Sequence, residues 1–205
     1  AGHALNAYLI ADNRFALELG CGGMETAETH SMSMEFFCWP HMEKFFGENA
    51  GKYRFMHALD SLSFIPYGTM VDAFQHIVYE NPDMTPAERN AAWLELEGKF
   101  RPHISFEGMP YLEKGTRWQY QMHIYESPFY YIDYCLAQTA AFNFLLASQE
   151  NYDDAFARYM RLSRQGGEKV WTELLDEAGF VPPFVPGALA TLATKVEALI
   201  DKIRV

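Results

Sequence analysis

Apolar residues recur at helical spacing along almost the whole chain, and this periodicity restricts the possible folds more than any other feature. Such spacing places apolar side chains on one face of a helix. Alternating stretches, as in 118–125, are sparse, and no pair of them supports a sizeable sheet. The sequence therefore predicts an all-α, multi-helix fold. Between residues 24 and 46 the apolar positions are Met24, Ala27, Met34, Phe37, Cys38 and Phe45.

Start and stop signals divide this helical chain into segments. The stretch Thr85-Pro86-Ala87-Glu88 is typical of a capping box with proline at the first helical position, and predicts a helix to about residue 100. Gly179 is well placed as the left-handed residue that ends a preceding helix. We expect Pro40 to kink the helix that begins at Met24, and Pro66-Tyr67-Gly68 to break the chain. The other helices are expected over 70–79, 128–148, 152–164, 169–178 and 189–203.

The charge balance excludes two classes of partner. Sixteen Lys and Arg residues against 27 Asp and Glu residues give a formal net charge of −11, and no basic run interrupts the acid excess. Because phosphate backbones and anionic lipids bind basic patches, we expect no nucleic-acid and no membrane partner. The longest apolar stretch, 135–147, is also shorter than the roughly 20 residues of a membrane span.

The cysteines and the lack of a targeting segment predict a cytoplasmic protein. An odd number of cysteines without short spacings argues against a disulfide scaffold or a zinc knuckle. Free thiols in a reducing compartment are therefore expected. The three positions are Cys21, Cys38 and Cys135.

The first residues and a later acidic segment could together hold a metal ion. A zincin carries His-Glu-x-x-His on one helix, with the Glu as general base, and Ala1-Gly2-His3 would complete this motif if His-Glu stood directly upstream. Glu28 lies 25 residues after His3 and shares one helical stripe with Glu25 and Glu35. Carboxylates among apolar residues are costly unless they are paired or bind a cation, and a Glu from a second helix suits zinc. Solvated or salt-bridged acids remain the alternative.

These residues resemble the active-site segment of the oligoendopeptidase F family, whose members are zinc metallopeptidases similar to thimet oligopeptidase. The resemblance begins with His3, Glu28 and the stretch ETHSMSMEFF. It continues through DAFQHIVYENP, HIYESPFYYIDY and LSRQGG, so it covers nearly the whole chain. It implies that His3 and Glu28 are the second and third zinc ligands, and that Glu25 and Ser31 lie beside the metal and orient these ligands. His30 is off the ligand face, and we expect it to pack or to support the ligands.

The resemblance also implies that this chain, residues 1–205, is the C-terminal part of a helical catalytic domain. The first His ligand and the catalytic Glu of the family are not in this sequence. The chain therefore looks like the C-terminal part of a larger enzyme, cut inside its zinc motif, and we expect the isolated chain to be inactive.

The segment HIYESPFYYIDY, 123–134, is expected to contact the substrate. In the family, a His and tyrosines from a later loop and helix stabilise the oxyanion of the transition state. The resemblance implies this role for His123, Tyr130 and Tyr134. The two tyrosines are four residues apart and would face the same way on a helix. Tyr125 and Tyr131 are second choices.

The resulting prediction is a zinc-dependent endopeptidase that hydrolyses short peptides, with one zinc ion in the complete enzyme. Zinc would activate a water molecule and polarise the scissile carbonyl. One alternative is a zinc carboxypeptidase on a similar helical scaffold, which needs a basic residue for the substrate C-terminus, and Arg117 is the only hint of one. The other alternative is a non-catalytic helical interaction domain that retains the motif.

Overall fold

The computed structural model describes residues 1–11, 20 and 22–204. Within these residues the secondary structure is helical and contains no strand, which confirms the predicted all-α fold. Short 3₁₀ turns connect several of the helices. The helices are α1 (Gly2–Ala11), α2 (Met24–Phe37), α3 (Glu43–Phe46), α4 (Ala50–Glu80), α5 (Pro86–Phe100), α6 (His123–Glu126), α7 (Tyr131–Glu150), α8 (Tyr152–Ser163), α9 (Trp171–Glu177) and α10 (Ala188–Ile203).

Two of the predicted helix ends are formed by the expected side chains and backbone. At the start of α5 the Thr85 hydroxyl accepts the Glu88 N–H at 3.3 Å, and the Glu88 carboxylate accepts the Thr85 N–H at 2.7 Å. Gly179 follows α9 in the left-handed conformation, with φ 78°. The helix that begins at Met24 ends at Phe37 instead of continuing through a kink, because Pro40 lies in a separate 3₁₀ turn.

The predicted break at Pro66 is wrong, because α4 runs through this residue without interruption. A proline inside a helix removes one backbone donor and costs roughly 3 kcal/mol. Two side chains add hydrogen bonds next to it. The Ile65 carbonyl accepts the Thr69 hydroxyl at 2.8 Å and faces the Cys135 thiol at 3.6 Å. Met70, one turn further on, is fully buried. Packing of α4 therefore outweighs the local preference of Pro66.

The described residues form two compact units. The first consists of Ala1–Leu62 and Leu136–Val205, and the second of Ser63–Cys135. The first unit has its main core where α2, α7, α8 and α9 meet, around Phe37, Phe144, Tyr159, Trp171 and Leu174. The core of the second unit lies between α4, α5 and the segment that follows α5, and contains Met70, Val71, Phe74, Trp93, Leu96, Trp118 and Ile124.

The two cysteines that the structure describes form no disulfide. Cys38 and Cys135 are free, and Cys21 lies outside the described residues. Burial raises the pKa of the Cys135 thiol to about 12, so this group stays protonated at neutral pH.

Within residues 1–11, 20 and 22–204, no helix is both long enough and apolar enough to span a bilayer.

Gly68 allows α4 to approach the first turn of α7 inside the second unit. A Cβ at this position would overlap the Cys135 Sγ atom and would lie 3.5 Å from the Cδ1 atom of Tyr131. Gly98, in α5, has no atom within 4 Å of such a Cβ. The two helical glycines therefore differ in what they contribute, because only Gly68 makes room for a neighbour.

We predict that Gly68→Ala lowers the free energy of unfolding by about 1–3 kcal/mol, because an added methyl group overpacks a filled site. Gly98→Ala is the matched control and should raise it by about 0.5–1 kcal/mol, since alanine favours an open helical position over glycine. Urea-induced unfolding followed by circular dichroism measures both changes. Equal stabilisation by the two substitutions would contradict the close packing at Gly68.

Candidate functional site

Helices α1 and α2 meet backbone to backbone at Gly2. A Cβ on Gly2 would overlap the carbonyl group of His30 and would lie 2.7 Å from the Ser31 Cα atom. Because backbone atoms cannot rotate away as a side chain can, only glycine permits this approach. The next residue is His3, so the contact fixes where its imidazole meets α2.

His3 and Glu28 converge from these two helices. The His3 Nε2 atom lies 3.5 Å from the Glu28 Oε2 atom. The Glu28 side chain is only 11% exposed, whereas that of His3 is 54% exposed. The Ser31 hydroxyl lies 2.9 Å from the same Oε2 atom and 3.0 Å from the Glu28 carbonyl oxygen. Ser31 therefore holds one carboxylate oxygen of Glu28 in place beside His3.

The spacing of this pair fits zinc. Two ligand atoms at about 2.1 Å from a tetrahedral zinc ion lie about 3.4 Å apart, and the measured separation of His3 and Glu28 is 3.5 Å. Imidazole nitrogen and carboxylate oxygen are both ordinary zinc ligands. Among the described residues no group of three or more His, Cys, Asp or Glu side chains forms a metal site. These residues thus offer a pair of ligands.

Hydrogen bonds from α8 and α9 fix the buried side of α2. The Tyr159 hydroxyl donates to the His30 carbonyl oxygen at 2.9 Å, and the Trp171 indole donates to the Thr29 hydroxyl at 2.9 Å. The Thr29 hydroxyl in turn donates to the Glu25 carbonyl oxygen at 2.7 Å. Since both contacts lie next to Glu28 in the sequence, they set the rotation of α2 that directs Glu28 towards α1.

His30 packs inside the protein, as its place on α2 suggested. The residue is 2% exposed, and its Nδ1 atom lies 3.4 Å from the Ser163 hydroxyl. Burial lowers the pKa of His30 to about 4, and the neighbouring His3 contributes a smaller lowering. His30 is therefore neutral at physiological pH.

The other two acids of the α2 stripe have separate surroundings. The Glu25 carboxylate folds back against Gly23 at the start of α2, where the helix dipole favours negative charge. Glu35 lies 2.9 Å from His57 Nε2, and the Trp39 indole donates to His57 Nδ1 at 2.9 Å. Because an indole N–H only donates, His57 carries its proton on Nε2 and donates it to Glu35. The sequence did not indicate these hydrogen bonds, which connect Trp39 through His57 to Glu35.

In the second unit the side chains of His123, Tyr130 and Tyr134 lie together. The ring centroids are 6.2 Å apart for His123 and Tyr130, 5.8 Å for His123 and Tyr134, and 4.9 Å for the two tyrosines. Tyr131 also approaches His123, at 4.9 Å. Tyr125 stacks on Trp118 instead, at 6.2 Å. The structure therefore groups one imidazole with three phenols, a set of hydrogen-bond donors.

A left-handed residue directs Tyr130 towards this cluster. Phe129 has φ 63°, the only positive value for a non-glycine residue in the described ranges. Its N–H donates to the Oε1 atom of the buried Gln75 at 2.8 Å, and its ring packs on Tyr79 at 4.9 Å. The turn delays the start of α7 to Tyr131, three residues after the predicted start. Gln75 gave no signal in the sequence, because its partner is distant along the chain.

Arg117, the candidate for binding a substrate carboxylate, packs on aromatic rings. Its guanidinium carbon lies 5.2 Å from the centroid of Tyr67 and 5.9 Å from that of Phe106. No ion pair between Arg117 and a carboxylate is present in the part of the chain that the structure describes. Its position is that of a stacking residue beside Tyr67.

Comparisons with known proteins agree with the fold and show the family of the chain. Peptidase family M3 matches residues 1–194, and the chain belongs to this family. This membership confirms the resemblance seen in the sequence. No match was found among curated proteins.

Solved structures with the same helical arrangement cover nearly the whole chain. A protein assigned as an oligoendopeptidase F is 48% identical, with a TM-score of 0.95 over 99% of this chain and 36% of its own. PZ peptidase A, solved with an inhibitor, is 47% identical, with the same TM-score and coverage. A protein from Bacillus anthracis assigned as an oligoendopeptidase F is 39% identical, with a TM-score of 0.84 over 99% of this chain and 33% of its own. The chain thus spans about a third of these structures.

We predict that Gly2→Ala disrupts the pairing of His3 with Glu28. The added methyl group overlaps backbone, so overpacking should lower stability by about 1–3 kcal/mol and move His3 away from α2. Zinc content and thermal unfolding of the natural full-length protein measure the two effects. Ala7→Ser, at an exposed position of the same helix, is the control and should change neither. Normal zinc content in Gly2→Ala would contradict the role of this contact.

Proposed function

We propose that this chain supplies part of the active site of a zinc-dependent endopeptidase that hydrolyses short peptides. The observation that carries the proposal is the 3.5 Å separation of His3 Nε2 and Glu28 Oε2, which suits two ligands of one zinc ion. Membership of peptidase family M3 and similarity to proteins assigned as oligoendopeptidase F support the reaction class. His3 and Glu28 would hold the ion.

The residues of this chain have distinct parts in the proposed reaction. Bound zinc supplies a Lewis acid and lowers the pKa of a water molecule. Ser31 keeps one Glu28 oxygen oriented, and Glu25 is proposed to support the same ligand set from the first turn of α2. In the second unit the imidazole of His123 and the hydroxyls of Tyr130 and Tyr134 can donate hydrogen bonds to the carbonyl oxygen as it gains negative charge.

The arrangement favours an endopeptidase over a carboxypeptidase. A carboxypeptidase needs a cation that is available to the C-terminal carboxylate of its substrate. Arg117 is the candidate, and its guanidinium stacks on Tyr67 and Phe106. Peptides blocked at both ends distinguish the two activities, because only an endopeptidase cleaves them.

The free thiols of Cys38 and Cys135 are compatible with a reducing compartment, and we propose a cytoplasmic location.

We predict that Glu28→Gln abolishes cleavage of doubly blocked short peptides by the natural full-length protein, because the substitution removes a charged zinc ligand. The zinc content should fall in parallel, and a chelator should abolish the activity of the unmodified protein. Glu150→Gln, an exposed position at the end of α7, is the control for the chemical change and should leave both readings unchanged. Zinc binding without any peptide cleavage would favour the non-catalytic alternative.

We predict a different kinetic pattern for Tyr134→Phe. Removing one donor to the oxyanion typically lowers kcat by about 10²–10³, while KM and zinc content should change little. Tyr120, which is 88% exposed, provides the control Tyr120→Phe with no expected effect. A rise in KM at constant kcat would assign Tyr134 to substrate binding instead.

A further inference from the structure

Gln121 connects three aromatic side chains of the second unit. The Tyr67 hydroxyl donates to the Gln121 Oε1 atom at 2.8 Å, and the Gln121 Nε2 atom lies 2.9 Å from His123 Nδ1. Burial raises the pKa of Tyr131, and a hydrogen bond from Gln121 opposes that rise. The amide therefore has its oxygen towards Tyr67 and its nitrogen towards His123.

The orientation of this amide follows from the hydrogen bonds of Tyr67. Burial raises the pKa of Tyr67, and the positive charge of Arg117 and its hydrogen bond to the Tyr67 side chain oppose that rise. The Tyr67 hydroxyl carries one hydrogen, which it donates to Gln121 Oε1 at 2.8 Å. With Oε1 at Tyr67, the amide NH₂ group is the end that lies 2.9 Å from His123 Nδ1.

Two arginine guanidinium groups pack against the ring of Tyr67. The guanidinium carbons of Arg101 and Arg117 lie 4.9 Å and 5.2 Å from its ring centroid. Arg101 is fixed by the buried carboxylate of Glu97, with contacts of 2.7 Å and 3.0 Å, and the Trp93 indole donates to Glu97 at 3.1 Å. These buried partners restrict Tyr67, and Tyr67 in turn restricts the amide of Gln121.

We infer that Gln121 is a positioning residue that keeps the His123 proton on Nε2. Because the amide NH₂ donates to Nδ1, the neutral imidazole must carry its hydrogen on the other nitrogen. The Nε2–H group is then the donor that His123 can offer to the carbonyl oxygen of a peptide. This assignment of purpose rests on the proposed peptidase function, whereas the proton position can be measured independently of activity.

The test compares Gln121→Glu with Gln119→Glu in the natural full-length protein labelled with ¹⁵N-histidine. The carboxylate of Gln121→Glu only accepts, so the His123 proton should move from Nε2 to Nδ1, and kcat should fall by about 10²–10³ with little change in KM. Gln119 is exposed and accepts a hydrogen bond from Tyr111, which a carboxylate can also do. Gln119→Glu should therefore change neither reading. The His123 resonance is identified by its loss in His123→Gln.

Tyr67→Phe provides a second variant that leaves Gln121 in place. Without the hydroxyl the amide can turn over, so the His123 resonances should show a mixture of the two tautomers. An Nδ1–H tautomer in the unmodified protein, or an unchanged proton position in Gln121→Glu, would overturn the inference. An Nε2–H tautomer in a protein that cleaves no peptide would support the positioning by Gln121 and would contradict the peptidase function.

Discussion

The contact of Gly2 with the backbone of α2 is the constraint on which the candidate zinc ligands depend. A side chain at this position would keep the two helices apart, and His3 would lie beyond the reach of an ion held by Glu28. Helices α8 and α9 also hold α2 in place, since Tyr159 and Trp171 donate hydrogen bonds to the His30 carbonyl and the Thr29 hydroxyl. These contacts restrict the rotation of the helix that carries Glu28, as a preorganised ligand set would require.

The second unit uses two glutamine amides to fix its own geometry, of which Gln75 is buried and Gln121 is half-buried. Gln75 is 1% exposed and accepts the N–H of Phe129, whose left-handed backbone would otherwise be an uncompensated strain. Gln121 is held by Tyr67 and faces His123. An amide offers both a donor and an acceptor without charge, so it can fix a loop and an imidazole without adding a charge of its own beside His123 and the neighbouring tyrosines.

The sequence predicted those features that depend on nearby residues. The capping box at Thr85 and the left-handed Gly179 follow from local chemistry, and both are present. The break predicted at Pro66 is wrong, because packing of α4 decides that conformation and local propensity does not. Among the site residues, spacing and resemblance indicated His3 and Glu28, which the structure brings together. They did not indicate Gln121, since its partner Tyr67 is 54 residues away in the sequence and the residue type alone carries no signal.

In the part of the chain that the structure describes, His57 with Glu35 and His3 with Glu28 form histidine–glutamate pairs, and the two pairs differ in geometry. His57 and Glu35 are 2.9 Å apart, a hydrogen-bond distance, and the Trp39 indole fixes the donor of that pair. His3 and Glu28 are 3.5 Å apart, although Glu28 is the more buried of the two carboxylates and would gain more from a short hydrogen bond. The 3.5 Å separation of His3 and Glu28 is compatible with two ligands of one tetrahedral ion, and Ser31 holds the same carboxylate oxygen in place. His76 and Asp72 are 3.4 Å apart within a single helix, whereas His3 and Glu28 come from two helices that meet backbone to backbone.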